Sequence, residues 1–251
     1  MSENFSYQDY VTDEAFLASY NDYQSRYAER IRESDKVIIN AINEIIAKNP
    51  GKRLSVLDIG CSTGNLLLHL SRLAPGADYL GGDLAESSLK VCRNNVALKG
   101  IEFKRLDILE LDDDIKYDIV VANAVAVYFT WPEYERCLKS VFNALKPGGT
   151  YIVFEWMHPY SCQDLTIYES SLGHPGGMRI CFRPIQKVNQ KLIETGFSKA
   201  VFHPFQMPYD LHKPGYEEEV VSYTETLQSG ERLTFRGALY QPWCHMMAYK
   251  A

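Results

Sequence analysis

Between Leu54 and Glu155 short apolar runs alternate with amphipathic stretches, and this alternation restricts the possible folds more than any other feature of the chain. Leu54–Ile59 and Tyr117–Asn123 are continuous apolar runs too short for helices. Tyr79–Gly82 and Tyr151–Glu155 are strand-like, and Ile101–Leu106 alternates. Among them Asn65–Leu73, Glu86–Leu98 and Pro132–Leu145 carry helical spacing. Pro132 falls in a first turn, where a missing N–H costs nothing, and Lys146-Pro147-Gly148-Gly149 stops that helix. Strands apolar on both faces, with helices between them, form a parallel sheet covered on both sides.

The flanks read differently. Up to Pro50 the chain reads as helical, with Ala15, Leu17, Tyr20, Tyr23 and Tyr27 on one face. Val37, Ile38, Ala41, Ile42, Ile45 and Ile46 make a second stripe before Asn49-Pro50-Gly51. Trp156 to about Arg183 is rich in Gly, His and Pro and reads as irregular. Pro184–Thr195 reads as a helix closed by Gly196, Lys199–Met207 as a strand, and Tyr216–Ala251 as strands around a Gln228-Ser229-Gly230 turn. No shift of composition demands a second domain. Residues 1–251 therefore read as one domain: 1–50 helical, 54–155 the α/β core, and 156–251 an added segment with the last strands.

An excess of acidic over basic residues, 32 against 26, gives a net charge of −6. That balance argues against a nucleic-acid partner, whose phosphates reward clustered Lys and Arg. The cysteines at 61, 92, 137, 162, 181 and 244 form no C-x-x-C pair and are expected to be free thiols in a reducing compartment. The N-terminus lacks the basic and apolar regions of a secretory leader, and the most apolar stretch, Ile119–Trp131, is too short to span a bilayer. A cytoplasmic protein with no membrane partner is expected.

Chemistry concentrates at the first strand-to-helix turn, Asp58-Ile59-Gly60-Cys61-Ser62-Thr63-Gly64-Asn65. Glycines there let a ligand approach the backbone, and the following helix offers free N–H groups. About 20 residues further on, Asp83 ends the second strand, where a carboxylate can accept from two ribose hydroxyls. These features suit an adenosine-bearing cofactor. The G-x-G-x-x-G fingerprint of nicotinamide cofactors is missing.

The D-x-G-x-x-x-G layout of Asp58, Gly60 and Gly64 resembles motif I of the class I S-adenosylmethionine-dependent methyltransferases. Asp83, Leu106-Asp107-Ile108, Tyr117–Asn123 and Leu145–Thr150 match the family's next landmarks in order. The resemblance covers Leu54 to Glu155 firmly, and Gly196-Phe197 with the late strands more loosely. It implies a Rossmann-like α/β fold: a mostly parallel seven-stranded sheet with an antiparallel last strand, helices on both faces, N-terminal helices and a C-terminal β addition. It implies S-adenosyl-L-methionine as cofactor and S-adenosyl-L-homocysteine as product. Asp58, Gly60, Cys61, Ser62, Gly64, Asn65, Asp83, Leu84, Asp107, Ile108, Asn123 and Tyr27 are its expected binding residues. Asp83 would hold the ribose and Asp107 the adenine amino group. Ser62 stands where many members have glycine, and its side chain is expected to cap the helix starting near Gly64.

Methyl transfer from a sulfonium is an in-line displacement, so alignment matters more than acid–base chemistry. Where an acceptor must lose a proton, His158 after the fifth strand is the leading base, and Tyr128 after the fourth is placed to orient the acceptor. Asn123-Ala124-Val125-Ala126 differs from the N-P-P-[YF] tetrad of enzymes methylating amide or nucleobase nitrogen. Tyr20, Tyr23 and Tyr27 either form a lid or simply pack, and Arg30 is a candidate partner for the methionine carboxylate. His158, Cys162, His174 and Cys181 fit no zinc spacing, so no metal is expected. Trp156, Tyr160, Tyr168, Phe182, Tyr209 and Tyr223, with Trp243 beyond, either wall an acceptor pocket or form the core of the added segment. The favoured reading is methyl transfer to an oxygen or nitrogen of a small molecule. An RNA or protein acceptor, or a non-catalytic S-adenosylmethionine-binding regulator or scaffold, is the alternative.

Overall fold

The computed structural model describes residues 6–25, 28–111, 114–160, 164–171, 174–215 and 221–251. Three helices open the chain: α1 (Tyr7–Thr12), α2 (Glu14–Ser25) and α3 (Glu33–Ala47). The core follows as β1 (Leu54–Ile59), α4 (Asn65–Leu73), β2 (Ala77–Asp83), α5 (Glu86–Asn94), β3 (Glu102–Arg105), β4 (Tyr117–Asn123), α6 (Trp131–Ala144) and β5 (Leu145–His158). Next come β6 (Leu165–Ser171), β7 (His174–Pro184), α7 (Ile185–Thr195) and β8 (Lys199–Pro204). The last strands are β9 (Ser222–Thr226), β10 (Arg232–Arg236), β11 (Leu239–Tyr240) and β12 (Trp243–Tyr249).

The main sheet has the strand order β3-β2-β1-β4-β5-β12-β8. Its pairs are parallel from β3 to β5, while β12 runs antiparallel to both β5 and β8. The seven-stranded sheet with one antiparallel strand is thus as expected. Side chains of one strand divide between two cores. Val56, Ile119 and Val121 pack with Ile38, Ile42 and Leu67 of α3 and α4. Leu57, Val120 and Ala122 pack with Leu138 and Val141 of α6 and Leu192 of α7. A strand buried on both faces has no polar face to show, which is why β1 and β4 are mostly apolar rather than alternating.

Two additions flank this sheet. The segment expected to be irregular up to Arg183 instead holds the antiparallel hairpin β6–β7, which joins the sheet where Met157 and His158 pair with Arg183 and Pro184. Strands β9, β10 and β11 form a separate antiparallel sheet. The helix expected over Glu86–Leu98 breaks at Asn95, whose side chain accepts from Ala97 N and caps a 3-10 turn, Val96–Leu98. Among the described residues no helix is long and apolar enough to cross a membrane. Cys61, Cys92, Cys137, Cys181 and Cys244 are free and buried, and Cys162 lies outside the described residues.

Candidate active site

Strand order reverses between β1 and β4, so the loops after them part and leave a crevice at the carboxyl edge of the sheet. The cleft there has a volume of about 860 Å³, its open mouth included. The β1 loop forms its floor. Gly60 sits at φ 75°, and a Cβ on it would stand 2.4 Å from Val125 Cγ2, so only glycine brings the β1 and β4 loops this close. The Gly60 and Cys61 N–H groups both donate to Gly82 O, at 2.7 and 3.0 Å, fixing this loop to the end of β2.

Asp83 completes that junction. Its Oδ2 accepts from Ser62 N at 2.8 Å and its Oδ1 from Ala85 N at 2.8 Å. Each oxygen keeps a further lone pair, and the residue lines the cleft. Ser62 does not cap α4: Gly64 occupies the N-cap position with φ 78° and no side-chain bond, because Ser62 is itself turned to φ 50°. Ser62 Oγ is instead buried without a hydrogen-bond partner, as are Thr63 Oγ1 and Asp58 Oδ2. Three orphaned polar atoms in one loop are what a polar ligand would satisfy.

Three carboxyl groups, Asp35, Asp58 and Asp83, are buried at this edge of the sheet. Burial, together with the charges of Asp35 and Asp83, raises the carboxyl of Asp58 well above its ordinary value. Burial likewise raises Asp83 and Asp35. Asp35, on α3, was missed in the sequence although it sits one turn before Ile38, Ile39 and Ile42 on the buried face of that helix. Its Oδ1 accepts from Asn123 Nδ2 at 2.9 Å, aiming the Asn123 side chain from the cleft wall.

The roof comes from α1 and α2 through Tyr7, Val11, Leu17 and Tyr20. The Tyr7 hydroxyl donates to Asp107 Oδ2 at 2.8 Å, and its ring meets Phe129 edge-on at 5.2 Å. Asp107 Oδ1 accepts from Leu109 N. Burial and Asp107 push the Tyr7 phenol up to about 12, so it stays a donor across the neutral range. Tyr7 too was missed in the sequence, although Ser6 and Asp9 form a capping box that marks this short helix. Asn65 Nδ2 donates to Gln24 O at 2.7 Å and fastens the far end of α2.

Of the residues expected at the site, Gly60, Ser62, Asp83, Leu84, Ile108, Asn123 and Tyr128 line the cleft. Asp58, Cys61, Gly64, Asn65 and Asp107 stand behind that lining. Tyr27 lies outside the described residues, as does the side chain of Tyr23, and Arg30 is exposed. His158 is 3% exposed and outside the cleft lining: its Nδ1 accepts from Tyr160 N at 3.2 Å, at the β5–β7 junction. The aromatic residues of the added segment do not line this cleft either. Trp156 packs on Phe182 and Trp243 at 4.8 and 5.3 Å, Tyr223 stacks on Phe235, and Tyr160, Tyr168 and Tyr209 are exposed. Tyr128 alone of the cleft residues also packs against the Trp156 cluster. Among the described residues no group of three or more His, Cys, Asp or Glu is placed to hold a metal ion.

Strand order, glycine loop and strand-end acids define a Rossmann-like α/β fold, the fold shared with methyltransferases of known structure. Within it, residues 56–149 match the family model described as a methyltransferase domain. The phthiotriol/phenolphthiotriol dimycocerosates methyltransferase of Mycobacterium tuberculosis is 27% identical over 165 residues, 64% of this chain and 56% of the relative. The demethylmenaquinone methyltransferase of Thermus thermophilus is 32% identical over 123 residues, 47% of this chain and 53% of the relative. The chain thus spans little more than half the length of these curated relatives. Among solved structures, the Burkholderia thailandensis 1,6-didemethyltoxoflavin-N1-methyltransferase, with 1,6-didemethyltoxoflavin and S-adenosylhomocysteine bound, superposes with a TM-score of 0.57 at 14% identity. That match covers 100% of this chain and 93% of the other.

Proposed function

We propose that this chain binds S-adenosylmethionine in the cleft and moves its methyl group to an oxygen or nitrogen of a small-molecule acceptor. The observation that carries this reading is the β1 loop, where Gly60, the orphaned Ser62 Oγ and the Asp83 carboxyl line the cleft and the orphaned Asp58 Oδ2 and Thr63 Oγ1 belong to the same turn. Such a donor set fits a ligand with a ribose, an amino group and a positive charge. When bound, the cofactor supplies an electrophilic methyl group on a sulfonium and leaves as a neutral thioether.

The chain's own residues then have separable tasks. Asp83 accepts from the ribose hydroxyls with its spare lone pairs. Asp35 holds Asn123, which presents its wall to the cationic end, and the Asp58 carboxyl offers an unpartnered oxygen. Asp107 reads the base while Tyr7 closes over it. The lid residues Val11, Leu17 and Tyr20 exclude water, which strengthens each polar contact inside. Tyr128, rather than His158, lines the cleft on the β4 side, and it orients the acceptor. A roofed cleft suits a small acceptor better than a folded protein or RNA, and the compounds naming the relatives above are neither protein nor nucleic acid.

Titration calorimetry with S-adenosylmethionine, S-adenosylhomocysteine and NAD tests the cofactor. The first two bind and NAD does not; the reverse, or no binding at all, overturns the proposal. Asp83→Ala should weaken S-adenosylhomocysteine by about 1.5–3 kcal/mol, the worth of hydrogen bonds to a charged group. A screen with labelled methyl then finds the acceptor.

A further inference from the structure

The wall that carries Tyr128 does not hold its own shape. Ala124 takes a positive φ of 57°, and the 3-10 turn that follows, Ala126–Tyr128, is three residues long with no side-chain cap. Charged side chains buried behind the cleft grip it. Glu155 Oε1 on β5 accepts from Ala126 N at 2.8 Å. On β7, Arg179 Nε donates to Tyr128 O at 2.9 Å, and Arg183 Nη2 donates to Phe129 O. Arg179 also pairs with Glu133 at 2.8 Å, and Glu133 in turn accepts from Thr130 N, the next residue of the loop.

The polarity is consistent. The acid sits at the amide end of the turn and the guanidinium groups at its carbonyl end, each opposite the partial charge it favours. The exposures of Glu155, Arg179 and Arg183 are 0%, 6% and 1%. Burying three ionisable groups is unfavourable unless their bonds do something that apolar side chains cannot, since hydrophobic replacements usually pack at least as well. Glu155 and Arg183 are also not a direct ion pair. Each keeps unpartnered atoms, Glu155 Oε2 and Arg183 Nε and Nη1, while Arg183 lies over the Tyr134 ring at 4.2 Å. Their bonds are therefore spent on the turn rather than on each other.

We infer that Glu155, Arg179 and Arg183 are positioning residues, which hold both ends of the Ala126–Tyr128 turn and so set where Tyr128 and Phe129 stand against whatever fills the cleft. Two of the three come from the hairpin β6–β7, so this addition to the sheet acts as a brace for the site. Only the choice of probe rests on the cofactor reading above.

The test uses the full chain with Arg179→Met, Arg183→Met, Arg183→Lys and Glu155→Met. Hydrogen exchange is followed by mass spectrometry on peptides covering 124–130, with 54–70 as reference, and S-adenosylhomocysteine affinity is measured by calorimetry. In the Met variants exchange over 124–130 rises at least tenfold, the reference stays at the parental rate, and the dissociation constant rises several-fold. Arg183→Lys, which keeps one donor for Phe129 O, returns both readings toward the parent. Parental exchange over 124–130 in a folded variant overturns the inference, and so does an equal rise in the reference peptide. Should a buried arginine variant not fold, Glu155→Met, which removes the acceptor for Ala126 N, supplies the same reading at the other end of the turn. If the parent itself does not bind S-adenosylhomocysteine, the cofactor reading fails and exchange alone decides the role of the brace.

Discussion

Replacing Tyr7 by phenylalanine removes one oxygen and isolates what holds the roof. Helix α1 has six residues, too few to persist by its own hydrogen bonds. It stays because Tyr7 reaches Asp107 at 2.8 Å and Phe129 at a ring distance of 5.2 Å. The variant keeps the ring contact and loses the bond to a carboxylate. Such bonds are worth about 1.5–3 kcal/mol, and this one is only part-buried, so the low end applies. About 1.4 kcal/mol is a factor of ten in an equilibrium constant, so the open form of the roof should become about ten times more populated. Exchange of the Tyr7–Thr12 amides reads that population directly: their rates should rise about tenfold while those of α4 stay unchanged. Equal α1 rates in parent and variant would mean that the hydroxyl does not latch the roof, and that Asp107 is not what α1 is tied to.

The floor and the far side of the sheet give two further tests. Gly60→Ala puts a Cβ 2.4 Å from Val125 Cγ2 at φ 75°; overpacking of this kind costs about 1–3 kcal/mol, and it should abolish S-adenosylhomocysteine binding while the protein remains folded. Retained affinity in calorimetry would show that the loop yields. Burial lowers His245 to about 4, with Ser34 O 3.1 Å from its Nε2. The unfolded chain therefore takes up a proton near pH 6.5 that the folded one refuses, and stability is lost as pH falls from about 6.5 to about 4, by at most about 3 kcal/mol. His245→Gln, neutral throughout, should flatten that part of the denaturation profile; profiles that stay parallel would exclude His245 as the source.

What the sequence reveals depends on what each residue packs against. The bounds of β1, β4 and α4 agree with those read from the apolar runs, because both faces of those strands are covered and Gly64 must take the left-handed turn. The glycines of the β1 turn were legible for the same reason: backbone geometry demands them. The hairpin β6–β7 was not, because Leu165 and Tyr168 of its outer strand are exposed and no apolar stripe marks it. Helix α1 offers only a capping box. Glu155, Arg179 and Arg183 are charged residues in a core, and a reading that assigns charge to the surface passes over them. His158 follows the fifth strand at the expected edge, but neighbouring residues of a strand face opposite ways and sequence proximity did not bring it to the cleft.

Strand β12 is synthesised after both of its neighbours, yet lies between them. As the chain emerges from the ribosome, β1 to β4 can pair in turn, but β5 and β8 must wait for residues 243–249 with a gap one strand wide, roughly 10 Å across at about 4.8 Å per strand spacing. Until then β5 presents an open edge of unpaired N–H and C=O groups on an apolar strand, the kind of template on which a strand from another nascent chain can add. The sheet therefore closes last in its interior rather than at its margin. A ribosome-bound chain stalled before Trp243 should depend on chaperones for as long as that slot stays empty.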